Sequence, residues 1–121
     1  MNQETWTAVD DYITGFVANH DDVLDQALKD SAKEGLPEIQ VSPAQGKLLH
    51  ILARMIHARN ILEIGTLGGY STIWMARALE PGGRFTERLG SESRVSATEI
   101  QTVGSKGYDG FALAVVLAPG K

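Results

Sequence analysis

The sequence predicts a small α/β domain in which N-terminal helices precede one βα unit and an antiparallel hairpin follows. Apolar residues recur at helical spacing through the first half of the chain. An apolar strand then runs into a glycine-rich turn and a further helix, and two strand-like segments come last. The 121 residues suit one domain and leave no room for two.

Composition and charge exclude several classes of protein. The net charge of -4 argues against a nucleic-acid binder, which normally carries a basic stripe. The chain has no cysteine, so disulfides and thiolate metal sites are excluded. No signal peptide and no run of about 20 apolar residues is visible. We therefore expect a soluble, cytoplasmic protein with neither nucleic-acid nor membrane partners.

Two amphipathic helices are predicted at the N-terminus. Thr5 is the expected N-cap of the first helix, whose apolar stripe is Trp6, Val9, Ile13, Phe16 and Val17. The second helix is expected to begin at Asp22 and to stop at Gly35. These stripes are interpreted as core or dimer contacts.

Two sets of polar residues invite a metal-site interpretation, and neither supports it. The acidic residues near the second helix, Asp21, Asp22 and Asp25, are better explained as a solvated helix N-terminus. The three histidines lack ligand spacing and are interpreted as helix-surface or helix-end residues; they are His20, His50 and His57.

The third helix is expected over residues 44–57, with Ser42 as N-cap and Pro43 in the first turn. Residues 60–64 then form a short strand, and a glycine-rich turn leads into a helix through Leu79. Such glycines allow positive φ and close approach to a ligand, and a helix start favours an anion. By shape alone, a ligand-binding turn and a bare βα turn are equally good interpretations. A dinucleotide fold is excluded because Leu67 and Tyr70 stand where glycine is needed.

Beyond this helix, the sequence breaks the expected alternation of strands and helices. A turn at residues 80–83 should send the chain into a second parallel strand. Residues 85–92 are too polar for that strand and indicate the tail of a helix. Strands are predicted at 94–103 and 111–117, joined through 104–110 as an antiparallel hairpin. We expect a three-stranded sheet with the hairpin beside residues 61–64.

Three segments resemble the cation-dependent O-methyltransferases of the caffeoyl-CoA and catechol type. They are residues 41–49 (VSPAQGKLL), 62–71 (LEIGTLGGYS) and 97–114 (ATEIQTVGSKGYDGFALA). The resemblance implies a truncated Rossmann-like methyltransferase fold in a single domain over residues 1–121. Residues 1–84 resemble the family's N-terminal helices and first βα unit, and 85–121 its last helix and hairpin. Roughly a hundred central residues of such a domain are then missing, with the join near Arg84.

The family resemblance also implies an S-adenosylmethionine (SAM) site. Gly65 would allow close approach of the cofactor, Ser71 would bond its carboxylate, and Glu63 would accept from its ammonium group. Val41 would contact SAM through its backbone, and Thr66 and Tyr70 would line the turn. The implied cofactor-binding residues are Val41, Glu63, Gly65, Thr66, Gly69, Tyr70 and Ser71.

The catalytic parts that the resemblance implies cannot be placed in this sequence. They are an acidic residue ending the second strand, two Asp and one Asn for a divalent cation such as magnesium, and a lysine base. No Asp occurs between Asp30 and Asp109. We therefore assign no catalytic or metal-binding residue.

Three interpretations stay open. The first is a SAM-dependent O-methyltransferase for a small molecule with a phenolic or catechol-type hydroxyl, impaired or inactive in this shortened chain. The second is a non-catalytic remnant that binds cofactor or forms a homodimer. The third is a deletion introduced in the laboratory or by an error in defining the gene.

Overall fold

The computed structural model describes residues 2–88, 95–104 and 107–116, with the side chains of residues 2–83. Within these ranges three helices come first, a strand and a fourth helix follow, and three strands come last. The order is α1 (Gln3–Val17), α2 (Asp22–Lys33), α3 (Pro43–Met55), β1 (Asn60–Ile64), α4 (Tyr70–Ala76), β2 (Arg84–Arg88), β3 (Val95–Gly104) and β4 (Gly107–Val116).

Helix α1 begins earlier than the sequence predicts. Asn2, not Thr5, is the N-cap, and its Oδ1 accepts from the Thr5 backbone N–H at 3.0 Å. Thr5 was the wrong choice because its own N–H is one of the unpaired donors that a cap must satisfy. An Asn three residues earlier does this well.

The ends of α2 and the start of α3 confirm the predicted signals. Asp21 caps α2, and Gly35 leaves it with φ +74. The N–H groups of Gly35 and Leu36 donate to the carbonyls of Ala32 and Ser31, which is the Schellman pattern. Ser42 and Gln45 form a capping box at α3, with Pro43 in the first turn.

Helix α3 ends at Met55 rather than at His57. His57 adopts φ +50, and the N–H of Ala58 donates to the Ala53 carbonyl at 2.9 Å. This left-handed residue closes the helix as a glycine normally would. The sequence gives no glycine signal here, so the predicted end was two residues late.

The second parallel strand does form, which corrects the prediction of a helix tail. Gly82 has φ +85 and the Gly83 N–H donates to the Glu80 carbonyl at 2.9 Å, so the predicted turn is present. β2 then pairs in parallel with β1, with Asn60 opposite Arg84 and Ile64 opposite Arg88. Backbone pairing with β1 outweighs the polar composition of β2, because strand preference depends strongly on context.

The hairpin is confirmed, but its predicted place beside β1 is wrong. β3 and β4 pair antiparallel from Val95 opposite Val116 to Gly104 opposite Gly107. Within the described residues they form a sheet of their own, separate from the β1–β2 sheet. The predicted connection was too long, since β4 begins at Gly107 and includes the glycines that suggested a loop.

The core lies where α2 and α4 meet. Leu24, Tyr70 and Trp74 are its buried residues, with Leu28, Val41 and Ile73 packed around them. Gly46 of α3 is needed for this packing, since a Cβ there would lie 2.3 Å from Trp74 Cδ1. By contrast α1 buries no residue, so its predicted stripe is not part of this core. No helix in the described ranges is long and apolar enough to cross a membrane.

Candidate functional site

The turn from β1 to α4 is built on backbone conformations that favour glycine. Gly65 has φ +88 and Gly69 has φ +83, and Leu67 between them has φ +49. The Gly69 N–H donates to the Thr66 carbonyl at 2.9 Å, which closes the turn. A side chain at either position would meet no neighbour. Glycine is therefore favoured there by the positive φ of the backbone and not by close packing.

Gly68 is required for a different reason. A Cβ at this position would lie 1.9 Å from Ser31 Oγ on α2. The turn therefore passes directly against α2 at a residue that has no side chain. Sequence analysis assigned Gly68 no role, because a glycine needed for close packing looks like any other glycine in a run.

Glu63 is a buried carboxylate at the base of this turn. Its exposed fraction is 7%. Ser71 Oγ donates to Glu63 Oε2 at 2.7 Å, and Thr72 Oγ1 donates to Oε1. Both oxygens are thus held by the first turn of α4, which fixes the orientation of the carboxylate. Thr72 was missed from the sequence, although the adjacent hydroxyls of Ser71 and Thr72 were a visible signal.

The Glu63 carboxylate has hydroxyl partners but no cationic one in the part of the chain whose side chains are described. The ion pairs among residues 2–83 join His20 to Asp25, His57 to Glu80 and Arg77 to Asp21. A carboxylate offers about four acceptor positions, so the two hydroxyls leave capacity for a further donor. A buried charge without a counter-charge is normally unfavourable.

Tyr70 does not line the turn with its side chain. It is 2% exposed, and its ring belongs to the core with Leu24 and Trp74. Burial raises the pKa of its hydroxyl, so the group stays protonated at neutral pH. Any contact of Tyr70 with a ligand in the turn would have to come from its backbone. Val41 likewise packs against the core.

The histidines make specific contacts rather than covering helix surfaces. His20 bonds Asp25 through Nδ1 at 2.8 Å and the Tyr70 hydroxyl through Nε2. His50 Nδ1 lies 2.9 Å from the Trp74 carbonyl, so this half-buried side chain on the surface of α3 contacts α4. His57 is exposed at the end of α3, as predicted, and pairs with Glu80 at 3.1 Å.

The acidic residues Asp21, Asp22 and Asp25 lie at the start of α2, as predicted. Hydrogen bonds from Arg77 and from the Leu24 backbone N–H lower the pKa of Asp21 to about 2. In the described part of the chain, no group of three or more His, Asp or Glu residues could hold a metal ion.

Strand β2 adds an acidic position next to the turn. The register places Glu87 directly opposite Glu63, one residue before β2 ends at Arg88. In a parallel pair the carboxyl ends of both strands lie at the same edge of the sheet. An acidic residue near the end of a second strand, which sequence analysis could not place, therefore has a candidate in Glu87.

The comparisons with known proteins agree on one family. A family model described as O-methyltransferase matches residues 15–103. A catechol O-methyltransferase from Niastella koreensis is 52% identical over 85 residues, which are 70% of this chain and 38% of the relative. One from Mycobacterium tuberculosis is 43% identical over 98 residues, which are 79% of this chain and 44% of the relative. The chain thus spans about two fifths of the length of these curated relatives.

Solved structures superpose on almost all of the chain. An O-methyltransferase from Bacillus cereus in complex with SAH has a TM-score of 0.80 at 30% identity, covering 95% of this chain and 100% of that one. The O-methyltransferase TomG from Streptomyces achromogenes, in complex with SAM, has a TM-score of 0.81 at 29% identity, covering 98% and 100%. The predicted Rossmann-like methyltransferase fold is therefore confirmed.

Replacing Thr72 by Val tests the hydroxyl support of Glu63. The substitution keeps the shape of the side chain but leaves one buried carboxylate oxygen without its donor. We expect the free energy of unfolding in urea to fall by about 1–3 kcal/mol. The matched control is Thr7→Val in α1, where the hydroxyl accepts from the exposed Gln3 side chain, and there the change should stay within about 0.5 kcal/mol. Equal effects at the two positions would contradict this account of Glu63.

Proposed function

Because the chain belongs to the O-methyltransferase family, we propose that it binds SAM at the turn between β1 and α4. The observation that carries the proposal is the Glu63 carboxylate, buried, oriented by two hydroxyls and unpaired with any cation among residues 2–83. SAM has an α-ammonium group that can donate to the acceptor positions left on this carboxylate. A charge-assisted hydrogen bond between them would stabilise both the ligand and the buried carboxylate.

The backbone of the turn completes the half-site for the amino-acid portion of SAM. A Cβ added at Gly65 or Gly69, both at positive φ, would meet no atom within 4 Å, so the main chain of the turn is open beside these residues. Ser71 contributes its hydroxyl at the edge of this space, and Thr66 lines it. Val41 and Tyr70 would act through backbone atoms, since their side chains face the core.

Glu87 is proposed for the ribose hydroxyls of SAM. Its register position opposite Glu63 places it on the strand next to the one that holds the amino-acid portion. A carboxylate accepts from two adjacent hydroxyls well, because it has two oxygens in one plane. This assignment gives β2 a function that its sequence did not suggest.

Methyl transfer to a catechol-type hydroxyl is the ancestral reaction that we propose for this fold, and we propose that this chain alone performs it poorly or not at all. The reaction needs a hydroxyl activated and aligned with the methyl group. The described side chains do not fit a divalent-cation site, and the sequence has no Asp between Asp30 and Asp109. The proposal is therefore a cofactor-binding member of the family with impaired catalysis.

Calorimetric titration of SAM into the purified protein tests the binding proposal. We expect saturable binding, weakened about tenfold to a hundredfold in Glu63→Gln because a charged hydrogen-bond partner of the ligand is lost. Gly65→Val should also abolish or strongly weaken binding. Its matched control is Gly82→Val, which imposes the same positive-φ strain in open space at the turn before β2. No binding by a folded wild-type protein, or equal losses in both glycine variants, would overturn the proposal.

Methyl transfer is tested separately with a catechol acceptor, SAM and magnesium. We expect no product above the rate without protein, while SAM still binds in the same sample. Product formation that stops on addition of EDTA would contradict the proposed impairment. It would also show that a cation site exists outside the described side chains.

The exposed face of α1 favours self-association as a second property. Tyr12 and Phe16 are 69% and 71% exposed, with Val9 and Val17 beside them on the same helix. Neighbouring apolar side chains left in water favour contact with another surface, and a second copy offers the same face. We propose a homodimer and expect light scattering to give twice the chain mass. Phe16→Glu should shift the mass towards the monomer, and a wild-type monomer at high concentration would contradict the proposal.

A further inference from the structure

Two consecutive residues before α2 hold the two ends of α4. His20 Nε2 bonds the hydroxyl of Tyr70, the first residue of α4. Asp21 accepts from the Arg77 guanidinium at 2.6 and 3.1 Å, and Arg77 is the residue directly after α4. A helix of seven residues is only about 10 Å long. Both of its ends are thus fastened to one short stretch of chain.

The protons in the first of these contacts can be assigned from chemistry. An ionised Asp25 only accepts, so His20 Nδ1 must carry the proton that bridges the 2.8 Å to Asp25 Oδ1. Burial keeps the Tyr70 hydroxyl protonated, and it donates to the free lone pair on His20 Nε2. The result is a chain of hydrogen bonds in which Tyr70 donates to His20 and His20 donates to Asp25.

The start of α4 needs this outside support. Isolated helices of this length are marginal in water, and the N-cap Gly69 supplies no side-chain hydrogen bond. The ring of Tyr70 fixes the helix laterally by packing on Leu24 and Trp74. Apolar packing is weakly directional. The hydrogen bond to the hydroxyl, by contrast, fixes the position of the Tyr70 side chain along the axis of α4 and its rotation about that axis.

Tyr70 also connects these hydrogen bonds to the cofactor turn. It follows Gly69 directly, and the next residue, Ser71, donates to Glu63 at 2.7 Å. A displacement of Tyr70 therefore moves the end of the turn and the hydroxyl that orients the carboxylate. The same does not hold for Arg77, which lies at the far end of α4.

We propose that His20 is a positioning residue for the cofactor turn, acting through the Tyr70 hydroxyl and held in its tautomer by Asp25. The inference rests on the proposed function, because the turn that His20 positions is the proposed SAM site. His20 touches no ligand in this account. It sets the geometry in which Gly69, Ser71 and Glu63 meet the amino-acid end of SAM.

Amide hydrogen exchange and SAM titration on the intact chain test the proposal together. Tyr70→Phe removes only the hydroxyl, and His20→Leu removes the acceptor. Both should speed exchange of the amides from Thr66 to Ser71 in the ligand-free protein and raise the Kd for SAM about tenfold. His20→Gln, whose Oε1 can accept from Tyr70 in place of Nε2, should restore the Kd to within about threefold of wild type.

The matched control is Arg77→Gln, which breaks the contact at the other end of α4. It should lower the melting temperature but leave the Kd and the exchange of the turn unchanged. If all variants lose stability and none changes turn exchange or Kd, His20 is merely structural and the inference is overturned. If wild type binds no SAM, the proposed function fails, and exchange at the turn still decides whether His20 positions it.

Discussion

The packing of α4 into the groove between α2 and α3 is the constraint on which the rest of the described structure depends. Seven residues cannot hold a helix in water by themselves, so this helix exists because its side chains are buried. Trp74 fits against α3 only because residue 46 is glycine, where a Cβ would lie 2.3 Å from the indole. This packing fixes the start of α4, and with it the positions of the turn backbone and of the hydroxyls that contact Glu63.

Successive residues at the start of α4 face different partners, so apolar and polar contacts lie on different sides of the helix. Tyr70 enters the core, whereas Ser71 and Thr72 reach the Glu63 carboxylate on β1. A rotation of about 100° per residue makes this division possible within one helical turn. The site is therefore a polar layer resting directly on the apolar core, so changes in core packing at Tyr70 or Trp74 are transmitted to the carboxylate.

Sequence reasoning succeeded where the signal was local and failed where it was tertiary. The N-cap at Ser42, the stop at Gly35 and the glycine turn follow from rules that involve a few adjacent residues. β2 could not be predicted because its pairing with β1 outweighs a polar composition. Thr72 and His20 were missed because their contacts cross 9 and 50 residues of sequence. The Thr72 hydroxyl beside Ser71 is nevertheless evident in the sequence as a possible partner of Glu63.

The proposed half-site is held by contacts between neighbouring elements of the described structure. Glu63 is held by α4, α4 is held by α2 and α3, and His20 precedes α2. The ligands of the cation site that the family resemblance implies would come from other parts of the domain. A member of the family that lacked those parts would lose catalysis first and cofactor recognition only partly, because the two are built from different parts of the domain.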